Sequence, residues 1–421
     1  MFDVSRLCMN CMKSILTGNY CALCGKPPLK AQEMATALPL RTILNGRYLT
    51  GKMLGAGGFG ITYIGYDLAE NKRIAIKEFM PSGLVRRSPG QSVMQVTSKE
   101  KEFTDSMQRF LEEARMIYHY QKNPHILQVY SLFQENGTAY YVMEFLEGSD
   151  LKHFLRQRGG VISWQELMPI VLQVMDALQV MHRDGVVHRD ISPDNIYISP
   201  AGKATLIDFG AARQVAAQKQ LTVILKRKYA PIEQYESNGK QGPWTDIYAL
   251  AATMYHALTG ELPPEAPERV YRDELKSFRQ FGIVLDDWVE KAMYRALRVE
   301  PEARYQNAAE FRNGILNIRS QPRLICMQGI YEGMEIMLEQ MLTVGRNPSY
   351  CQLVYPPAAK GISGVHCRFL TDEEGIPFVT DLNSTYGTWV NGKKIACDKY
   401  RKLANGDSIL FGENQIWIVS V

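Results

Sequence analysis

The 421 residues carry 48 Lys+Arg against 44 Asp+Glu, a net charge of +4, and 46% are apolar. That length and apolar fraction suit about three domains with real cores, and the near balance of charge excludes nucleic acid or an anionic membrane as a partner selected by charge alone. The richest apolar stretch, Leu167 to Met181, is interrupted by Gln173, Asp176 and Gln179, short of the roughly 18 apolar residues a membrane span needs; with no apolar leader at the N-terminus, a cytoplasmic protein is expected.

In chain order, the first signal is a pair of C-x-x-C turns, Cys8/Cys11 and Cys21/Cys24, nine residues apart. Four thiolates on two tight turns match the tetrahedral preference of Zn²⁺ and leave no open position for chemistry, so residues 1–26 read as a structural zinc ribbon. So short a segment cannot bury a useful core, and the metal has to supply its folding free energy, on the order of 10 kcal/mol or more. Whether the ribbon docks a partner or the rest of its own chain stays open. The other cysteines, Cys326, Cys351, Cys367 and Cys397, read as small buried hydrophobes. Residues 27–45, opening on Pro27-Pro28, read as a linker.

Gly55-Ala56-Gly57-Gly58-Phe59-Gly60 is a G-x-G-x-x-G run, a spacing that dinucleotide-binding folds share. Here it is followed by a β-branched run, Ile61 to Ile64, and a second one, Ile74-Ala75-Ile76-Lys77, so the order is strand, strand, lysine rather than a turn opening a helix. Phe110, Ala114 and Ile117 share one face of a helix that carries Glu112 and Glu113. Between Lys77 and that helix lies an insertion with Pro81-Ser82-Gly83, Arg86-Arg87 and Ser88-Pro89-Gly90, expected as a surface excursion. Tyr140 to Gly148 reads as a strand running into a hinge. Apolar residues at 167, 170, 171, 174, 178 and 181 have the 3.6 period of a packed helix.

That helix leads into His188-Arg189-Asp190-Ile191-Ser192-Pro193-Asp194-Asn195, with Asp208-Phe209-Gly210 downstream. Asp190 is of the type that orients an incoming hydroxyl, and Asn195 and Asp208 are oxygen ligands of the kind Mg²⁺ prefers beside phosphates. With these motifs in this order, residues 46–318 resemble the eukaryotic-like (Hanks-type) Ser/Thr protein kinases. The resemblance implies an α+β bilobal kinase fold using ATP with Mg²⁺ or Mn²⁺ on protein substrates. It also implies roles: Gly55, Gly57, Gly60, Ala75, Lys77, Met143, Glu144 and Leu146 around ATP; Lys77 paired with Glu113, or failing that Glu112; Asp190 as the base; Asn195 and Asp208 on the metal. His188 is expected to be a core contact. Glu233 is expected to pair with Arg304, and Asp246 to hold the catalytic-loop backbone.

Two departures bear on activity. Ser192 stands where the family places a lysine that supports the γ-phosphate. The loss of one charge-assisted contact, about 1.5 to 3 kcal/mol, implies a slowdown of roughly 10- to 100-fold unless another cation compensates. The stretch Lys226-Arg227-Lys228 replaces the usual Gly-Thr pattern ahead of Tyr229 and is expected to favour acidic substrates. The alternative reading is a nucleotide-binding pseudokinase that assembles partners through its flanking domains. Thr222, the single Thr or Ser between Gly210 and Ala230, is the candidate autophosphorylation site, with Arg189 as its partner.

From 322 to 421 the pattern changes to short alternating runs parted by turns such as Asn391-Gly392 and Asn405-Gly406, an all-β sandwich. Gly345-Arg346, Ser363-Gly364-Val365-His366 and Asp381 to Gly392 resemble a forkhead-associated (FHA) domain. The resemblance implies phosphothreonine recognition by Arg346, Ser363 and Thr385, with His366 and Asn391 structural. Tyr386 and Gly364 depart from its pattern and leave open a sandwich that binds unmodified protein. Phosphothreonine partners, including the chain's own phosphorylated loop in self-association, follow from the resemblance.

Overall fold

In the computed structural model, residues 6–13, 19–97, 99–214, 226–236, 238–318, 321–338, 341–372 and 375–420 are described. The chain divides into two compact units, Met1–Arg312 and Asn313–Val421.

The first unit is built on an antiparallel sheet of β1 (Ile43–Leu44), β2 (Tyr48–Gly57), β3 (Gly60–Asp67), β4 (Lys72–Phe79), β7 (Val129–Glu135) and β8 (Thr138–Glu144), in the order β1-β2-β3-β4-β8-β7. Between β4 and β7 run a small hairpin, β5 (Val85–Arg86) with β6 (Gln95–Val96), and helix α1 (Glu100–His119). Period-2 alternation sorts β4 onto two faces. Ile74 and Ile76 enter one core with Tyr63, Tyr140 and Val142, while Phe79 packs against Phe110 of α1 (5.3 Å between ring centroids), which in turn meets Tyr141 at 5.0 Å.

Two segments expected to be loose are held to this sheet. Ala37 and Leu38 of the expected linker are buried in the sheet core, Leu38 N donates to Tyr63 Oη at 2.9 Å, and Gln32 bonds the Leu38 and Gly51 carbonyls. The insertion is no passive excursion either, because Arg87 enters the sheet's back face and pairs with Glu78, both side chains fully buried. The apolar remainder of each segment, Leu84 and Met94 included, covers surface that the sheet would otherwise expose.

The cysteine turns dock on the same unit. Leu7, Met9 and Met12 cluster with Leu49, Ile64 and Tyr66, and Lys52 N donates to Met9 O at 2.8 Å. A Cβ on Gly51 would sit 2.4 Å from Met12 Cε and 2.7 Å from Met9 O, so close an approach requires glycine there.

The chain then forms β9 (Ser149–Asp150), α2 (Leu151–Gln157), α3 (Trp164–Arg183), β10 (Val186–Val187), β11 (Ile196–Ile198), β12 (Ala204–Leu206), β13 (Arg213–Gln214), α4 (Pro243–Thr259), α5 (Ala266–Tyr271), α6 (Asp287–Ala296) and α7 (Ala308–Ile315). α3 starts at a capping box in which Ser163 and Glu166 bond each other's backbone N–H. α4 is buried nearly all round, from Thr245 to Leu258, as the central helix of a layer must be, and Gly260 in the left-handed region closes it. The chain passes from the first compact unit to the second within α7.

The second unit pairs two sheets. One contains β14 (Arg323–Gln328), β15 (Glu335–Met337), β20 (Thr388–Val390), β21 (Lys393–Lys394), β23 (Ser408–Phe411) and β24 (Gln415–Ser420). The other contains β16 (Met341–Gly345), β17 (Leu353–Val354), β18 (Cys367–Thr371), β19 (Pro377–Asp381) and β22 (Arg401–Lys402). Their shared core holds Trp417, whose indole N–H donates to Tyr355 Oη at 3.0 Å. Within residues 330–338 the strand is confined to Glu335–Met337. Cys326, Cys351 and Cys367 are buried as expected, but Cys397 is exposed.

Candidate active site

The cleft is assembled from both layers of the first unit, the upper one being the six-stranded sheet with α1 and the lower one the elements from β9 to α6. Lys77, on β4 directly across from Tyr141 of β8, places its Nζ 3.2 Å from Glu113 Oε1, and Tyr141 Oη donates to the same carboxylate at 3.3 Å. Of the two glutamates, Glu113 thus meets the lysine, while Glu112 accepts from Gln108 one turn away. Burial opposes the lysine's charge, but Tyr141, Glu113 and Asp208 outweigh it and hold its pKa well above the ordinary value.

A cavity of about 460 Å³ opens beside this pair, lined by Gly55 to Gly60, Lys77, Glu113, Asp208 and Gly210, together with Ser106 and Arg109 of α1. Within the run, Gly60 is packed so tightly that a Cβ would lie 2.2 Å from Glu78 O, whereas a Cβ on Gly55, Gly57 or Gly58 would meet nothing within 4 Å. The first is needed by the sheet, and the fold itself gives no steric reason for the other three. Ala75 is buried on β4, and Met143 and Glu144 close β8, from which the chain runs through Leu146 into the lower layer. Just beyond Leu146, Glu147 is held by Arg73 and by Lys13 of the cysteine segment, the latter at 2.7 Å.

The catalytic loop follows β10. Asp246 of α4 accepts from His188 N at 2.8 Å and from Arg189 N at 2.7 Å. Arg189 and Asp208 are non-glycine residues in the left-handed region, at φ 69° and 62°, a conformation that persists only where surroundings impose it and that clusters at functional sites. Asn195 Nδ2 donates to both Asp190 O and Asp190 Oδ2 at 2.8 Å. His188 is buried against Phe209, 4.9 Å between rings, and burial holds its pKa down, so it is a neutral core contact. Burial also pushes the Asp190 carboxyl above the ordinary aspartate value, against the charge of Lys226. For Asp208 burial acts the same way, but Lys77 and the Gly210 N–H overcome it and keep the carboxyl below that value.

Further supports fall into place around the loop. Glu233 and Arg304 form a buried pair at 2.8 Å. Arg189 Nε donates to Gln241 at 2.6 Å. Thr222 lies outside the described residues. Ser192, fully buried, accepts from Lys226 Nζ at 2.7 Å. Lys226 was legible only as part of a basic stretch; the missing lysine at 192 was the signal that a cation had to come from elsewhere.

The four N-terminal thiols lie within 4.8 Å of one another, with Cys8 and Cys24 sulfurs 3.9 Å apart and Cys11 and Cys21 3.7 Å apart. Burial and the neighbouring thiols push the Cys11 thiol up to about 12. Four sulfurs so close cannot share negative charge without a cation among them, which fits a bound divalent metal.

In the second unit Ser363 and Thr385 converge: Thr385 N donates to Ser363 Oγ at 3.0 Å and their hydroxyls are 3.4 Å apart. Arg346 joins through its backbone N–H, which donates to Ser363 O at 3.1 Å, while its guanidinium reaches Pro357 O. His366 Nδ1 accepts from Ser363 N and its Nε2 faces Gly387 O, so one buried, neutral ring ties both loops. Asp381 accepts from Ser384 and Thr388 and anchors the loop that carries Thr385. Asn391 bridges to Asp407 and Ser408.

Residues 48–332 match the protein kinase domain and residues 342–412 the FHA domain. Among curated proteins, the chain is 28% identical over 286 residues to serine/threonine-protein kinase F of Synechocystis sp., covering 66% of this chain and 57% of that protein. It is 29% identical over 302 residues to PknA of Nostoc sp. (69% and 50%) and 29% identical over 293 residues to PknB of Mycobacterium leprae (66% and 44%). The chain thus spans about half the length of the curated relatives it matches. A solved structure titled "PpkA-294 apo form" superposes with a TM-score of 0.59 at 32% identity, over 66% of this chain and 99% of that one. A match over more than half of the 421 residues, on a cleft assembled in this way, makes the chain a member of the protein kinase domain family, with an FHA domain in its second unit.

Proposed function

We propose that the chain is an ATP-dependent Ser/Thr protein kinase whose FHA domain recognises phosphothreonine. The observation that carries the reading is the Lys77–Glu113 pair at 3.2 Å in the cavity that Asp208 also lines. Glycines 55, 57 and 58 leave open backbone above that cavity, where phosphates can approach closely. Asn195 and Asp208 would hold Mg²⁺ or Mn²⁺, which when bound neutralises phosphate charge. Lys77 grips the phosphates, Glu113 fixes its direction, and the hinge from Glu144 to Leu146 offers backbone to adenine. Asp190, oriented by Asn195, accepts the proton of the substrate hydroxyl.

The domain assignment that goes with this reading is a zinc ribbon over 1–26, the kinase over 46–318 and the FHA domain over 322–421. Cys8, Cys11, Cys21 and Cys24 hold Zn²⁺. Arg346, Ser363 and Thr385 hold the phosphate. Thr222 is the first loop residue to be autophosphorylated, and its phosphate is a candidate ligand for the FHA site of another copy. No helix among the described residues is long and apolar enough to cross a membrane.

Incubation with labelled ATP and Mg²⁺, beside Asp190→Asn, tests the reading. Label in the parent protein that vanishes in the variant supports it. ATP binding without label in either protein would establish the pseudokinase scaffold instead.

A further inference from the structure

Replacing the catalytic-loop lysine by Ser192 removes a cation from beside Asp190, yet the described site is not without one. Lys226, 34 residues downstream, extends its ammonium to Ser192 Oγ at 2.7 Å and stands 3.4 Å from Asp190 Oδ2 and 3.8 Å from Asp194 Oδ2. The serine makes this geometry available: it is small and fully buried, and its hydroxyl oxygen accepts a hydrogen bond from the incoming ammonium.

The backbone that carries Lys226 is fixed to the lower layer. Lys226 O accepts from Tyr229 N and Ala230 N, and the Tyr229 hydroxyl pairs with His256 Nδ1 of α4 at 2.8 Å. A strut that served only to dock the segment would find its natural partner in Asp194, which is more exposed. That carboxylate is already engaged by Lys152 at 2.9 Å, and Lys226 stands closer to Asp190.

We propose that Lys226 is a catalytic residue that touches the transferred phosphoryl group, supplying from the stretch before Tyr229 the positive charge that Ser192 cannot. The inference rests on the kinase reading above. In the step it serves, the substrate hydroxyl oxygen bonds to the γ-phosphorus and its proton passes to Asp190. The bond from that phosphorus to the β,γ-bridging oxygen breaks, and ADP leaves with the electron pair. Lys226 remains an ammonium throughout and offsets charge on the phosphoryl oxygens. Because the cation is carried by residues 226–230, docking of those residues on α4 and completion of the site are one event.

The test uses the full chain with labelled ATP and Mg²⁺, comparing the parent protein, Lys226→Met, and the double variant Ser192→Lys/Lys226→Thr, each checked by thermal melting and nucleotide binding. Lys226→Met is expected to lower kcat by about 10- to 100-fold while KM for ATP changes less than about threefold. The double variant, with the charge moved to 192, is expected to recover most of the loss. A parent protein that is labelled and a Lys226→Met variant within about twofold of it would overturn the proposal and leave the kinase reading intact. Loss in Lys226→Met without recovery in a folded, ATP-binding double variant would make Lys226 a docking strut, overturning the proposal as well. An unlabelled parent protein overturns the kinase reading, and the inference falls with it.

Discussion

Arg87 and Glu78 form an ion pair with both side chains fully buried, and the Tyr63 and Tyr140 hydroxyls donate to the same carboxylate. It joins the insertion to the central strand of the upper sheet. Removing one partner of a buried pair strands the other charge in low dielectric, at a cost of about 3 to 5 kcal/mol. Arg87→Met is therefore expected to lower the denaturation midpoint strongly. Arg87→Met/Glu78→Gln should recover part of the loss, because no ion is then left unpaired. Denaturant unfolding of the full chain checks both, and a midpoint unchanged in the single variant would refute the assignment.

The cysteine ribbon packs Leu7, Met9 and Met12 on the upper sheet, each worth about 1.5 to 3 kcal/mol of gross burial. If the four thiols hold Zn²⁺ as proposed, this docking depends on the ribbon being folded, and the ribbon on its metal. Chelation, or Cys11→Ser, is expected to lower the melting temperature of the first unit by several degrees, on the order of 5 °C. The exposed Lys13–Glu147 pair is worth little, so Lys13→Ala should leave the melting curve in place. Differential scanning calorimetry with and without chelator separates the two.

Acid should switch the site off through Asp190. Burial raises its carboxyl above the ordinary aspartate value, so activity is expected to fall with decreasing pH while still above that value, as the base takes up a proton. Lys226 opposes the rise, so Lys226→Met should move the acid limb further toward neutrality. Asp208 carries the opposite sign: its folded-state pKa is lowered, so its stability contribution is present above the unfolded value and lost as pH falls through the folded one. A pH–rate profile whose acid limb is unmoved in Lys226→Met would contradict this account of Asp190.

At the FHA site, Arg346→Ala is expected to weaken binding of a phosphothreonine peptide by about 10- to 100-fold, the loss of one charge-assisted contact. Its guanidinium bonds only a surface carbonyl among the described contacts, so the fold should tolerate the change. His366→Ala is expected to fail differently: the ring is buried and joins the Ser363 and Gly387 loops, so stability drops together with binding. Calorimetric titration against the phosphorylated and unmodified peptides, alongside thermal melts, distinguishes the two variants.

Much of the site was legible because the residues that carry it are local runs. Asp190 and Asn195 are five apart on one loop, Gly55 to Gly60 form the tip of one hairpin, and the Cys8/Cys11 and Cys21/Cys24 pairs are each a single knuckle. Short runs reveal chemistry because their side chains share a backbone geometry that the spacing itself dictates. The choice of Glu113 over Glu112 was also readable, since the helical period places it with Phe110 and Ile117 toward the sheet. The course of residues 27–45 and 80–97 was not legible. Both read as connections rich in turn residues, and Leu38 and Arg87 are among the residues that anchor them through contacts with strands distant in the chain.

By itself, then, the amino-acid order determined the strand and helix periods, the paired cysteine turns, the catalytic loop and the two domain types, all of which follow from spacing and side-chain chemistry within a few residues. Only the tertiary structure decided what long-range packing decides: the burial of Arg87 on Glu78, the seating of the ribbon on Gly51, and above all the approach of Lys226 to Ser192 and Asp190. Side chains that are 34 residues apart meet because α4 and the catalytic loop fix the two ends of the path, and no local pattern encodes that meeting.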